Sequence, residues 1–182
     1  MSRIIKGLAY VVHDNIDTDQ IIPAQYLMLV PTVPEEYQKL GSYALSGLPE
    51  SLYPTPYVPK GSTRTPYKIL IAGRNLGCGS SREHAPIALG AAGCEVAIAA
   101  SYARIFFRNC IATGELYPYE SVEDLSKIIR TGDEVQVNFD DNTLTSGDKT
   151  YPLKPLGDVL PVIDAGGLFN YARQTGMIPA QK

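Results

Sequence analysis

No apolar run in this 182-residue chain approaches the roughly 20 residues that a membrane span requires. The opening stretch, MSRIIKGLAYVV, lacks the layout of a signal peptide and flows into a strand-like segment. Cysteine is scarce: Cys78, Cys94 and Cys110 are odd in number and widely spaced. That argues against a disulfide framework and for a reducing compartment. It also makes a poor metal set, because no close cysteine pair or Cys–His cluster accompanies them. Positive charge is in deficit. Sixteen Lys and Arg against 19 Asp and Glu leave a net charge of −3, which argues against nucleic acid as the main partner. There is no internal repeat and no low-complexity segment. What is present, 45% hydrophobic and 19% charged residues, is the composition of a globular protein large enough for a real core. A single domain over residues 1–182 is expected. The expected setting is cytoplasmic, or the plastid stroma if a transit peptide has been removed.

The pattern along the chain alternates. Leu8 to Val12 reads as a strand, followed by the acid-rich turn HDNIDTDQ. Glu35 to Leu45 has helical composition, with Pro34 as its opening residue. Gly47 to Pro66 carries five prolines and no periodic apolar pattern, so a long, mobile connection is expected there. Strand 67–72, a helix near 85–92, strand 95–100 and a helix near 102–110 follow. This rhythm implies a parallel sheet with right-handed crossovers. A helix is expected over Glu120 to Ile129 and another over Val159 to Gln174, the latter weakened by Gly166-Gly167. Glu134 to Phe139, the turn Asp140-Asp141-Asn142 and Thr143-Leu144 read as an antiparallel hairpin.

The stretch with most chemistry is GRNLGCGSSREHAP, Gly73 to Pro86. It lies between the apolar runs Ile69–Ala72 and Ile87–Ala92, in the order strand, glycine loop, helix N-terminus. Backbone N–H groups and the positive end of a helix dipole then favour an anionic guest. Arg82 adds a bidentate donor for a carboxylate, and Ser80 and Ser81 add hydroxyls. The loop is not a Walker motif and not a clean dinucleotide fingerprint. Ser80 and Glu83 could instead form a capping box. Pro86 disfavours that, because it moves the helix start toward His84 and leaves the serines in the loop. His84 reads as a hydrogen-bonded residue at the helix start, and His13 and Asp14 as turn residues. Asp17 and Asp19 would ordinarily cap backbone N–H groups. Cys78 has no histidine placed to activate it and reads as a small packed residue. Arg104 and Arg108, four apart, share a solvated or intersubunit helix face.

Three blocks, DNIDTDQIIPAQYL (14–27), GCGSSREHAPIAL (77–89) and SYARIFFRNCIATGELYP (101–118), closely resemble the small subunits of 3-isopropylmalate dehydratase, within the aconitase family. The likeness runs in order over most of the chain. It implies a three-layer β/β/α swivel domain, with a mainly parallel sheet plus an antiparallel hairpin. It implies a large-subunit partner that holds a 4Fe-4S cluster, and no cofactor or metal on this chain. The implied substrate is a small dicarboxylate: 2-isopropylmalate, dehydrated and rehydrated to 3-isopropylmalate in leucine biosynthesis. The resemblance makes Ser80 the base that takes the carbon-bound proton. It has Ser81 hydrogen-bond substrate, Arg82 clamp a carboxylate and Asp19 assist near the serine. Cys78, His13 and His84 receive no role from it. Relatives that handle an extra carboxylate tend to carry arginine after the Tyr-Leu pair. Here Tyr26-Leu27 is followed by Met28-Leu29, an apolar run suited to an isopropyl group. That disfavours homoaconitate. It leaves citramalate open, since a methyl difference is worth only about 1–3 kcal/mol. A non-catalytic anion-binding or regulatory module is the alternative from another class.

Overall fold

The computed structural model describes residues 3–180. Seven strands form one sheet: β1 Ile4–Val12, β2 Ile69–Ala72, β3 Val96–Ala99, β4 Tyr117–Glu120, β5 Glu134–Asn138, β6 Thr143–Ser146 and β7 Lys149–Pro152. Their spatial order is β4-β3-β2-β1-β5-β6-β7. The pairings from β4 to β1 are parallel, and those from β1 to β7 are antiparallel. β1 therefore joins two half-sheets of different kinds. The sheet curls until its outer strands meet, where Ser121 after β4 bridges Leu153 after β7. Lys154 N donates to Glu120 O at 2.8 Å beside that bridge.

Side-chain alternation sets the layers. On β1, β2 and β3, Tyr10, Val12, Leu70, Ala72, Ala97 and Ala99 face one core, and Ala9, Val11, Ile69, Ile71, Val96 and Ile98 face the other. The second core fills the curl, against Val135, Val137 and Leu144 of the antiparallel strands. The first core is covered by the helices α2 (Pro34–Ser42), α3 (His84–Ala92) and α4 (Arg104–Thr113). Strands buried on both faces read as continuous apolar runs, as Ile69–Ala72 and Val96–Ala99 do. Small residues let the covering helices approach each other closely. A Cβ on Gly41 of α2 would lie 2.8 Å from the Ala91 backbone of α3.

Three expectations from the pattern are corrected and a fourth is extended. Residues 120–129 are not a helix: Glu120 ends β4, and only a 3-10 turn, Leu125–Lys127, follows. The strand reading was masked by Pro118, which β4 tolerates because it is an edge strand. Asp124, accepting from Ser126 N at 3.2 Å, caps the short turn. The hairpin is present, with a third strand, β7, beyond it. The helix foreseen over 159–174 breaks at Gly166 and Gly167 (φ 81° and 104°) into α5 (Leu160–Asp164) and α6 (Leu168–Gln174). Finally, the 47–66 connection is tied down. Tyr57 is 2% exposed and stacks edge-on against Tyr10 at 5.1 Å, and Tyr10 donates its hydroxyl to Thr55 O at 2.7 Å.

Candidate active site

The carboxyl ends of parallel strands are where α/β sheets gather their loops. Here the loops after β1 and β2 run side by side. Asn15 N donates to Arg74 O (2.8 Å), Gly77 N to Ile16 O (2.7 Å) and Thr18 N to Cys78 O (2.9 Å). The Asp14 carboxylate accepts from Arg74 N at 2.7 Å. Ala103 N, in the loop after β3, donates to Leu76 O at 2.9 Å. Three loops are thus knitted through backbone bonds into one platform. Gly77 is needed there for two reasons: its φ is 80°, and a Cβ would collide with the Phe106 ring.

The alternative of a capping box at Ser80–Glu83 is not realised. The N-cap of α3 is Glu83, with no side-chain cap, and His84 opens the helix. Pro86 is then the third residue of α3, within the first turn, where an intrahelical N–H is not required. The capping box lies elsewhere. Asp17 accepts from Gln20 N at 2.8 Å and the Gln20 side chain accepts from Asp17 N at 3.0 Å, opening the short α1 (Thr18–Ile21). Asp17 is accordingly a cap, whereas Asp19 projects outward. Ser80 and Ser81 are exposed in the loop. Ser80 is tied through its carbonyl, which accepts from the buried Thr18 hydroxyl at 3.0 Å.

Arg82 and Asp19 are brought together. Arg82 Nη1 donates to Asp19 Oδ1 at 2.6 Å and to Ile22 O at 3.2 Å. The arginine side chain is 12% exposed and the aspartate 60%. A pair open to solvent on one side is worth only about 0–1 kcal/mol. Its effect is orientation: both contacts use Nη1, which leaves the N–H groups on Nη2 and Nε for a guest.

Residues 23–30 form the rim beside this platform. A 3-10 turn, Ala24–Tyr26, follows Pro23. Tyr26 stacks on Tyr43 with ring centroids 3.6 Å apart, so its face is taken up by the protein. Leu27 and Leu29 pack partly against the first core, whereas Met28 is 82% exposed. Of the three rim residues singled out from sequence, Met28 alone stands clear. His84 is the hydrogen-bonded residue at the helix start that its position suggests, and its partner is Leu29, whose carbonyl oxygen lies 3.0 Å from Nε2. Nothing in the spacing of residues 29 and 84 signals that contact.

Beside Ser81 a half-open groove of about 480 Å³ runs along α4, lined by Ile105, Arg108, Asn109, Ile111, Ala112 and Leu168. The cysteines stand apart from the chemistry. Burial pushes the Cys94 thiol up to about 12 and the Cys110 thiol well above its usual value. Burial also raises the half-buried Cys78, so it is not an activated nucleophile. Among the described residues no three His, Cys, Asp or Glu side chains converge as metal ligands. Two thiols are buried and the third, Cys78, is half-buried in the loop, so this donor set does not fit an iron–sulfur cluster. His13 is exposed at the end of β1, its ring 5.7 Å from that of Tyr53.

A mixed sheet curled over one core, helices on its outer face and a glycine loop at the strand ends define an aconitase-type swivel fold. The aconitase C-terminal domain matches residues 50–119. The chain is 59% identical over 183 residues to 3-isopropylmalate dehydratase small subunit 1 of Arabidopsis thaliana, covering 98% of this chain and 72% of that protein. It is 38% identical to the isopropylmalate/citramalate isomerase small subunit of Methanocaldococcus jannaschii, covering 96% of each. A crystal structure of 3-isopropylmalate dehydratase from the same archaeon superposes with a TM-score of 0.76 at 35% identity, again over 96% of both chains. The chain belongs to the 3-isopropylmalate dehydratase small-subunit family. No helix among the described residues is long and apolar enough to cross a membrane.

Proposed function

We propose that this chain is the swivel-domain subunit of a hydro-lyase that converts 2-isopropylmalate to 3-isopropylmalate, acting with a large subunit. The reaction takes a proton and a hydroxyl from neighbouring carbons and returns them exchanged. In this reading Ser80 removes and returns the carbon-bound proton. A serine hydroxyl is a weak base, so its alkoxide needs the N–H donors of the glycine loop and the nearby start of α3. Arg82 clamps a substrate carboxylate, and Asp19 keeps the guanidinium oriented for it. Ser81 hydrogen-bonds substrate, and Met28 faces the isopropyl group. This chain's donors do not fit a 4Fe-4S cluster, so in this reading the large subunit would hold it and the cluster would supply Lewis-acid activation of the hydroxyl. Three free cysteines suit a reducing compartment, cytoplasm or stroma.

One observation carries the assignment. Ser80 is not spent on capping α3 but stands free in the loop that also presents Arg82, paired there with Asp19 of α1. The test is reconstitution with a cluster-bearing large subunit, following the ultraviolet absorbance of the unsaturated isopropylmaleate intermediate. Turnover of 2-isopropylmalate by the mixture, and by neither subunit alone, supports the reading. A mixture that binds substrate without forming the alkene refutes it in favour of an anion-binding module.

A further inference from the structure

The segment that carries Met28 is held at one end by the serine loop and at the other by the first residue of α3. Arg82 Nη1 donates to Ile22 O at 3.2 Å, and His84 Nε2 meets Leu29 O at 3.0 Å. A carbonyl oxygen only accepts, so Nε2 carries the proton in this contact. Between these two points the backbone bonds of the segment are local: Tyr26 N to Pro23 O, Leu27 N to Ala24 O and Leu29 N to Tyr26 O, at 3.0–3.2 Å. Such single turns leave its placement to packing, with Tyr26 stacked on Tyr43 and Leu27 and Leu29 against the first core, and to the two bonds that join it to Arg82 and His84. The exposed methionine stands one residue before the carbonyl that His84 holds. His84 is also the first residue of α3, so the donor is mounted on a helix, not on a loop.

We propose that His84 is a positioning residue for substrate choice: through Leu29 it sets the distance of Met28 from the catalytic loop. This rests on the reading above in one respect, that the alkyl substituent of the substrate lies against Met28. His84 touches no reacting atom in this account. Losing its hydrogen bond should therefore act on KM and on discrimination more than on kcat.

Two variants separate donation from packing. His84→Phe keeps a ring and removes the donor. His84→Gln removes the ring and keeps an N–H near the Nε2 position. Hydrogen exchange of residues 26–30 is measured in each free chain. The kcat/KM ratio for isopropylmalate over the methyl analogue citramalate is measured in the reconstituted enzyme. In His84→Phe, exchange should quicken by about tenfold, the free-energy scale of one hydrogen bond, and the ratio should fall several-fold through KM. His84→Gln should restore both toward wild type. Unchanged exchange in His84→Phe overturns the tether. Faster exchange with an unchanged ratio overturns its part in specificity. Equal damage in the two variants shows that ring packing, not donation, matters, and also overturns the proposal. Failure of the functional reading looks different: the wild-type mixture itself would not turn over isopropylmalate, while the exchange measurement would still decide the tether.

Discussion

Replacing Ser80 by alanine separates two roles that one serine could play. A capping serine contributes stability: its loss costs about 0.5–2 kcal/mol, and in a chain of this size each kcal/mol moves Tm by roughly 2–4 °C. Ser80, however, caps nothing. α3 starts from Glu83, and Ser80 is anchored by its carbonyl to Thr18, a bond that alanine keeps. Its exposed position puts the expected stability change within about 0.5 kcal/mol, a Tm shift of roughly 1–2 °C. Removing a proton-transferring group costs about 10²–10⁴ in rate, equivalent to roughly 2.7–5.5 kcal/mol of barrier. The signature is thus a silent melt and a collapsed kcat. The assays are thermal unfolding of the free subunit and alkene formation after reconstitution, with subunit association checked by size-exclusion. Near-wild-type turnover would sink the catalytic assignment. A Tm loss of many degrees would show that the serine supports the helix after all.

Arg82→Lys should weaken substrate binding although the charge is kept, because an ammonium cannot hold Asp19, the Ile22 carbonyl and a carboxylate in one plane. Kinetics equal to wild type would remove Arg82 from the clamp. Met28→Arg should move preference from isopropylmalate toward a substrate with a distal carboxylate, where a charge-assisted bond is worth about 1.5–3 kcal/mol. An unchanged kcat/KM ratio would show that the exposed methionine does not meet the discriminating group. Burial holds the Glu115 carboxyl above its usual 4.5, and the 2.7 Å bond from the Tyr37 hydroxyl pulls it partly back. The native state therefore holds this proton to a higher pH than the unfolded chain does. The associated stability is complete below about 4.5 and is lost as pH rises through the raised native value. Glu115→Gln keeps an acceptor for Tyr37 and removes the titration. It should melt above wild type near pH 7, with the advantage gone near pH 4, and a pH-independent Tm difference would contradict this.

The parallel core was legible because strands buried on both faces cannot hide: Ile69–Ala72 and Val96–Ala99 are unbroken apolar runs. The start of α3 was legible from Pro86, which disfavours a helix beginning at Ser81. Less regular elements escaped. β4 contains a proline and alternates tyrosines with other residues, so its strand character depends on pairing with β3. The order of the 47–66 connection comes from Tyr57 meeting Tyr67 and, above all, Tyr10, a residue far away in the chain. In the site, local spacing brought out Ser80, Ser81 and Arg82. The approach of Asp19 to Arg82 and of His84 to Leu29 crosses more than fifty residues and has no local signature. Tyr26 reads from sequence as a pocket residue because nothing there shows that Tyr43 lies flat against it.

The antiparallel pairing of β1 with β5 bears on assembly of the molecule during synthesis. Ile4 pairs with Asn138 and Leu8 with Glu134, so the earliest strand of the sheet waits for a partner more than 120 residues downstream. Until β5 arrives, β1 to β4 make a sheet open along one side, with Val11, Ile69 and Ile98 facing no strand across the curl. A nascent chain stopped in that interval presents an unpaired edge and an apolar face together, the combination that invites aggregation. The loops that carry Asp19 and Ser80 hang from β1 and β2, within that open half. Their final setting thus waits on strands that contribute none of the residues proposed for the chemistry.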